Sequence, residues 1–219
     1  MRRRSSGALP SGYGALPSAG WRRWRLPLAG VAGALLIATL VDQTAYTFLT
    51  FPQVYDGKWG RLFRMVGWLP LWFVVGFAFY RIAGTSIAKR HALLLMAAPT
   101  LAGACSELIK LLIRRGRPTA AEGSYVFRAF LDQPLYTAHF GMPSGDATVA
   151  FAVALILTRV WPKAWVIWYG LAVGCALGRV LSRAHFLSDV TAAAVLGTAV
   201  AEWLWRRFGT PDLVPSTAT

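Results

Sequence analysis

The sequence is poor in acid, in histidine and in cysteine, and each shortage narrows what the chain can be. Nine Asp and Glu stand against 23 Lys and Arg in 219 residues, a formal net charge of +14. Only 15% of residues are charged and 56% are apolar, too little polar surface for a soluble domain of this size. The three histidines and two cysteines are scattered, with no His, Cys or carboxylate cluster at ligand spacing, so no metal cage and no cofactor is expected. Cys105 and Cys175 sit far apart inside apolar runs and read as small packing residues rather than a disulfide. The basic excess would suit nucleic acid, but neither zinc-finger spacing nor a basic recognition helix is present, and no nucleic-acid partner is expected. The arginines fall instead in short clusters between apolar segments, as membrane flanks and an anion site require. Lysine is also rare, 4 against 19 arginines, which with the Ala, Gly and Trp content points to a GC-rich bacterial genome.

What the chain has in abundance is long apolar runs. Residues 1–25 show no hydrophobic period, are rich in Arg, Ser, Gly and Pro, and read as a disordered basic cytoplasmic tail. A signal peptide is the rival reading, weakened by the long polar lead and by the lack of a small-x-small site after Ala38. Six segments follow, at about 27–50, 65–84, 91–113, 143–160, 164–182 and 186–205, each near the ~20 residues that cross a bilayer. The expected fold is all-α, an integral-membrane bundle of six transmembrane helices over 26–207, with a short C-terminal cytoplasmic tail at 208–219. Short connections at 85–90 and 161–163 make antiparallel neighbours, whereas 114–142 is a long loop broken by Gly and Pro. With the N-terminus inside, Lys and Arg number 13 on the cytoplasmic side and 10 outside, or 7 once Lys110, Arg117 and Arg179 are set aside as site residues. N-in, C-in is therefore favoured. That topology puts the ends of spans three and five and the starts of spans four and six on the outer face. Tyr55, Trp59, Phe63 and the Gly67-Trp68-Leu69-Pro70 turn read as an interfacial belt, or as the lining of a groove for a lipid tail.

Three polar pieces interrupt this apolar background. Residues 178–189 carry Arg179, Arg183, His185 and Asp189 between two apolar runs, and ionisable residues that close to a bilayer are functional candidates. His185 and Asp189 are four apart, the spacing at which a helix puts a carboxylate beside an imidazole, fixing its tautomer and leaving the other nitrogen to attack. The third span ends on Lys110 and Arg117, seven residues or two helical turns apart, so both should point from one face, with Glu107 a turn before Lys110 to position it. The fourth span opens Met142-Pro143-Ser144-Gly145-Asp146, with Pro143 expected at the first helical position and free N–H groups aimed outward, a ready phosphate site. Together these bring cations, a helix N-terminus and a His–Asp pair to one membrane face, which suits holding a phosphate while an imidazole attacks phosphorus. Asp42, near the outer end of span one, is placed to cap or to pair with an outer arginine, and His91 to sit at the opposite interface.

Lys110-x6-Arg117-Pro118, then Pro143-Ser144-Gly145, then Arg179-x5-His185-x3-Asp189 resemble the three signature motifs of the type-2 phosphatidic acid phosphatase superfamily, in order and spacing across residues 110–189. The resemblance implies a six-helix membrane bundle with a core like that of vanadium haloperoxidases, a site at the outer leaflet, and no metal. It implies that His185 is the nucleophile, forming a phosphohistidine, that Asp189 orients it, and that Lys110, Arg117, Ser144, Gly145 and Arg179 bind the phosphate oxygens. The implied partners are a phosphorylated lipid and the bilayer of a bacterial inner membrane, with oligomeric state open.

Two positions depart from the family pattern. Gly178 stands where a serine is usual. Asp146 stands where the family has the histidine that protonates the leaving group, and a free Asp, with a pKa near ~4, is a poor acid at neutral pH. Three alternatives follow: a phosphate dianion in a low-dielectric site keeps Asp146 protonated, His139 reaches in from the outer loop, or the substrate is a phosphoanhydride whose leaving group needs little protonation. The functions in play are accordingly a polyprenyl diphosphate phosphatase, a phosphatase of lipid A, phosphatidylglycerophosphate or phosphatidic acid, a phosphotransferase on the same residues, and a non-catalytic binder of lipid phosphates.

Overall fold

A computed structural model describes residues 19–209, so the expected tails fall outside the described residues at 1–18 and 210–219. The described chain is all-α, with no β-strand. Its helices are α1 (Ala19–Phe48), α2 (Lys58–Val66), α3 (Leu69–Ile82), α4 (Ser86–Ile113), α5 (Gly145–Val160), α6 (Trp165–Leu181) and α7 (Leu187–Phe208). α1 already begins at Ala19, ahead of the tail boundary expected at 25.

Local chemistry sets the ends that matter. α4 starts earlier than expected because Thr85 caps it, its hydroxyl accepting from the Ala88 N–H at 3.1 Å. It stops at Ile113, where Arg114 turns left-handed at φ 55° and its N–H returns to the Lys110 carbonyl. Arg114 is then spent on structure. Its guanidinium donates to the carbonyls of Arg128, Pro134 and Asp132 and lies 4.9 Å from the Phe140 ring, pinning the loop between α4 and α5.

α5 is the centre of the bundle. Every residue from Ala147 to Leu157 except Phe151 is buried, and the helix packs against α4, α6 and α7. Small residues let these neighbours close in. At Gly197 of α7 an added Cβ would run into the Thr148 carbonyl of α5. Large apolar side chains instead face outward, among them Leu36 and Leu40 on α1, Val74 and Phe77 on α3, and Leu108 and Leu112 on α4. A surface of that kind needs lipid around it, and with several long apolar helices the chain is an integral membrane protein. Cys105 and Cys175 are unpaired, as packing residues should be.

The spans differ from expectation at two places. Among the described residues, four helices are long and apolar enough to cross a membrane, at Pro27–Phe48, Ser86–Ile113, Pro162–Leu181 and Leu187–Phe208. A fifth crossing exists only if α2 and α3, bent by 70° at Gly67 and Trp68, act together. The expected second span is thus a broken pair, because Gly67 and Pro70 interrupt what hydropathy alone reads as continuous. α5 has 16 residues and reaches about 24 Å, short of a full hydrocarbon core. Its burial by neighbouring helices removes the need to meet lipid on its own.

Replacing Gly197 with Leu should force α5 and α7 apart and cost about 1–3 kcal/mol, as overpacking does. The thermal unfolding midpoint in detergent checks this, and an unchanged midpoint would mean the two helices are not in such close contact.

Candidate active site

The three polar pieces meet at one end of the bundle. The ends of α1, α4 and α6 and the starts of α5 and α7 converge there, through hydrogen bonds and through a small apolar cluster of Ala147, Ala176, Val180, Val190 and Ala193.

His185 lies just before α7, after a turn in which Arg183 is left-handed at φ 56°. Its N–H and that of Ala184 both donate to the Arg179 carbonyl, at 3.2 and 3.1 Å. The imidazole is buried, with Nδ1 2.9 Å from the Gly141 carbonyl and 3.5 Å from Asp189 Oδ2. A carbonyl oxygen only accepts, so Nδ1 carries the proton and Nε2 keeps its lone pair. Burial pushes the imidazole pKa below its ordinary value, and the Arg179 and Arg117 charges push the same way against Asp189. The neutral, nucleophilic form is favoured. Gly141 is required here by close approach, since a Cβ would lie 2.8 Å from Asp189 Oδ2.

The His185–Asp189 pairing does not arise from one helical face, as the four-residue spacing suggests. His185 precedes the helix, and Asp189 sits in the first turn with Oδ2 accepting from the Phe186 N–H at 2.8 Å. The carboxylate reaches back over the helix start and meets the imidazole there.

Arg115, counted from sequence only as an outer cation, is the principal partner of Asp189. Its Nη2 donates to Asp189 Oδ1 and, at 2.8 Å, to the Ser188 hydroxyl. Its guanidinium is held between the rings of Tyr125 and Phe186, at 5.0 and 5.2 Å. Asp42 completes the network. It is buried on α1 and accepts from the Ser188 N–H at 2.8 Å, from the Ser188 hydroxyl, and from the Tyr125 hydroxyl at 2.7 Å. It therefore caps α7 rather than pairing with an outer arginine. Burial and the bond to Asp42 raise the Tyr125 pKa to about 12, so its hydroxyl stays a donor.

Arg117 arrives by a different route from the one its spacing implies. The helix ends at Ile113, so Lys110 and Arg117 do not share a face. Arg117 is extended, with its N–H on the His139 carbonyl at 3.2 Å. Burial and the nearby Arg179 lower its pKa from the usual arginine value, whereas Asp146, Asp189 and Glu107 raise it. Lys110 is buried, and Glu107 holds its ammonium at 2.5 Å. Gly145 faces both, since a Cβ there would sit 3.5 Å from Lys110 Nζ and from Glu107 Oε1.

Ser144 is the N-cap of α5, and Pro143 lies outside the helix, not at its first position. The Ser144 N–H donates to the Asp189 carbonyl at 3.2 Å, tying α5 to α7. Its hydroxyl is buried without a partner, as are the Nε atoms of Arg117 and Arg179. The first N–H groups of α5 have no intrahelical acceptor, and the helix dipole is positive there. This is a cradle for an anion, with two guanidinium groups, a hydroxyl and a helix start around the imidazole. Asp146 is half-exposed and pairs with Arg179 Nη1 at 3.3 Å. His139 is exposed, with its ring against Tyr136 at 5.1 Å. Among the described residues, no three His, Cys, Asp or Glu gather as metal ligands.

Arg115, Ser188, Tyr125 and Gly141 are neighbours of the imidazole and its carboxylate that the sequence did not single out, and Asp42 was read there only as a cap or as the partner of an outer arginine. Arg115 is one of three arginines in four positions, and spacing cannot say which turns inward. A sequence model of the PAP2 superfamily matches residues 91–211, more than half of the chain. No curated protein matches the chain.

Arg115→Lys should lower kcat about ten- to a hundredfold with KM little changed, because it positions Asp189 and His185 without touching substrate. A raised KM with kcat intact would instead assign Arg115 to binding. With the imidazole pKa lowered, kcat/KM should hold as pH falls through about 6.5 and decline only below it. A decline centred above that value, across a pH series, would contradict a buried neutral His185.

Proposed function

Because the chain belongs to the PAP2 superfamily, whose members are generally phosphatases, we propose that it removes a phosphate from a membrane lipid through a phosphohistidine on His185. The observation that carries this reading is the Gly141 carbonyl on Nδ1, which leaves the Nε2 lone pair beside the anion cradle. Nε2 attacks phosphorus while Arg117, Arg179, Lys110, the Ser144 hydroxyl and the Gly145 N–H hold the phosphate oxygens. The imidazolium formed on phosphorylation is stabilised by the Gly141 carbonyl and the Asp189 carboxylate. Water then attacks the phosphohistidine and releases inorganic phosphate.

A lipid substrate is supported by an apolar groove of about 640 Å³ between α2 and α6, lined in part by Trp59, Phe63, Leu177 and Gly178. Gly178 adjoins Arg179, so a tail in this groove would end at the cradle. In this reading α5 and the α2–α3 pair complete a six-helix bundle of the haloperoxidase-like kind. The chain runs N-in and C-in through a bacterial inner membrane, with the site on the outer face.

Asp146 decides among substrates. Asp146 is engaged as the acceptor of Arg179, a geometry that suits leaving groups which need no proton. From a lipid diphosphate, such as a polyprenyl diphosphate, the leaving group is the lipid monophosphate, which needs none. The monoester alternatives are phosphatidic acid, phosphatidylglycerophosphate and lipid A, and an alcohol in place of water would give a phosphotransferase. The same ion pair also favours a second reading, a lipid-phosphate binder without turnover.

His185→Ala should reduce phosphate release to background and abolish acid-labile labelling from a lipid carrying radioactive terminal phosphate. Undiminished release would end the phosphohistidine mechanism, and a purified wild type that releases none would favour the binder. Arg179→Gln should cost about a hundredfold in kcat/KM.

A further inference from the structure

The bend between α2 and α3 builds a second basic wall that the mechanism above does not use. α2 carries Lys58, Arg61 and Arg64 and no acidic residue. Its C-terminal corner rests on the first turn of α5, where a Cβ on Gly67 would lie 2.7 Å from the Asp146 Cβ. Between the two lies a cavity of about 540 Å³ lined by Tyr55, Arg61, Arg64, Met65, Trp68 and Asp146. Arg64 is steadied over the Tyr55 ring at 5.0 Å, and the Tyr55 hydroxyl is buried without a partner. Among the described ion pairs, neither Arg61 nor Arg64 has a carboxylate partner.

We propose that Arg61 and Arg64 hold a second phosphate carried by the leaving group, making the Asp146 cavity a leaving-group subsite and the substrate a lipid diphosphate. This rests on the phosphatase reading and deepens it. Asp146 lines this cavity and pairs with Arg179 of the cradle, so the cavity opens beside any phosphorus held there and is the space a departing group would enter. A cavity with two exposed guanidinium groups suits a departing phosphate and adds nothing for a departing diacylglycerol. The missing acid and the added cations are thus two sides of one chemistry. Such a group needs its charge matched, not a proton supplied.

The step balances without a co-reactant other than water. The Nε2 lone pair of His185 forms a bond to the terminal phosphorus, and the bond from that phosphorus to the bridging oxygen breaks. The electron pair stays on the bridging oxygen, which becomes a terminal oxygen of the departing lipid monophosphate between Arg61 and Arg64. Water attacks the phosphohistidine, the N–P bond returns its pair to Nε2, and inorganic phosphate leaves with its protons shared with solvent. A phosphodiester in the leaving group, as in phosphatidylglycerophosphate, presents related chemistry three carbons further away, and the experiment separates the two.

The full-length protein in detergent would be assayed on farnesyl diphosphate, farnesyl monophosphate and phosphatidylglycerophosphate, as wild type, His185→Ala and the Arg61→Gln/Arg64→Gln double variant. The double variant should lose roughly a hundredfold in kcat/KM on the diphosphate, two charged contacts' worth, and less than about threefold on the monophosphate. Pyrophosphate should inhibit the wild type better than phosphate does, and that advantage should vanish in the double variant. Equal losses on both farnesyl substrates, or none on either, would overturn the subsite while leaving His185-dependent phosphate release standing. A selective loss on phosphatidylglycerophosphate alone would overturn the diphosphate assignment. Release that survives His185→Ala, or a wild type that releases none, would remove the phosphatase reading itself and the subsite with it.

Discussion

A carboxylate buried in an apolar bundle is tolerated only when its oxygens are filled, and the fold is arranged around filling those of Asp189. Oδ1 takes Arg115, and Oδ2 takes the Phe186 N–H and stands beside His185 Nδ1. The backbone carbonyl of the same residue takes the Ser144 N–H. One residue therefore ties the loop after α4 to the starts of α5 and α7, the three places that supply the proposed cradle and nucleophile. Arg115 passes the constraint to Ser188, and Ser188 to Asp42 on α1. The imidazole is oriented by a network that spans the bundle, not by a single neighbour.

Electrostatics explain why that network is so heavily hydrogen-bonded. Arg179 lies close enough to Arg117 to weaken its hold on a proton, and the Nε of each is buried without a partner. Arg179 is buried and held to Asp146, and Arg117 is partly buried, so both charges stand near the imidazole before any ligand arrives. Preorganised charge of this kind favours a transition state because it does not have to reorganise during reaction. The scarcity of acidic residues has its reason here. Among the described residues, Glu107, Asp146 and Asp189 each partner a cation of the site, and Asp42 is hydrogen-bonded behind them.

Much of this was legible in the sequence, and what was not has physical causes. His185, Asp189, Arg179 and the Glu107–Lys110 pair stand out because charge inside apolar runs is conspicuous, and Ser144 because it opens a helix; the structure brings them to one end of the bundle. The reasons attached to two of them did not hold. Lys110 and Arg117, and His185 and Asp189, have helical spacings, yet a left-handed Arg114 and a helix that starts at Leu187 mean that neither pair shares a helical face. Arg115 was hidden among adjacent arginines, since a side chain's direction after a helix stop depends on dihedrals that composition does not encode. α2 was missed because its nine residues carry too much charge for a span, and its amphipathic face only makes sense beside α6.

Asp42 and α2 both lie upstream of residue 91, where the family match begins. The signature by which this chain is recognised and the machinery it needs are therefore not coextensive. A fragment bearing all three motifs would lack the acceptor that caps α7 and the wall that faces Asp146. If α2 holds the leaving group as proposed, substrate preference could be retuned there without disturbing the residues proposed to make and break the bond to phosphorus.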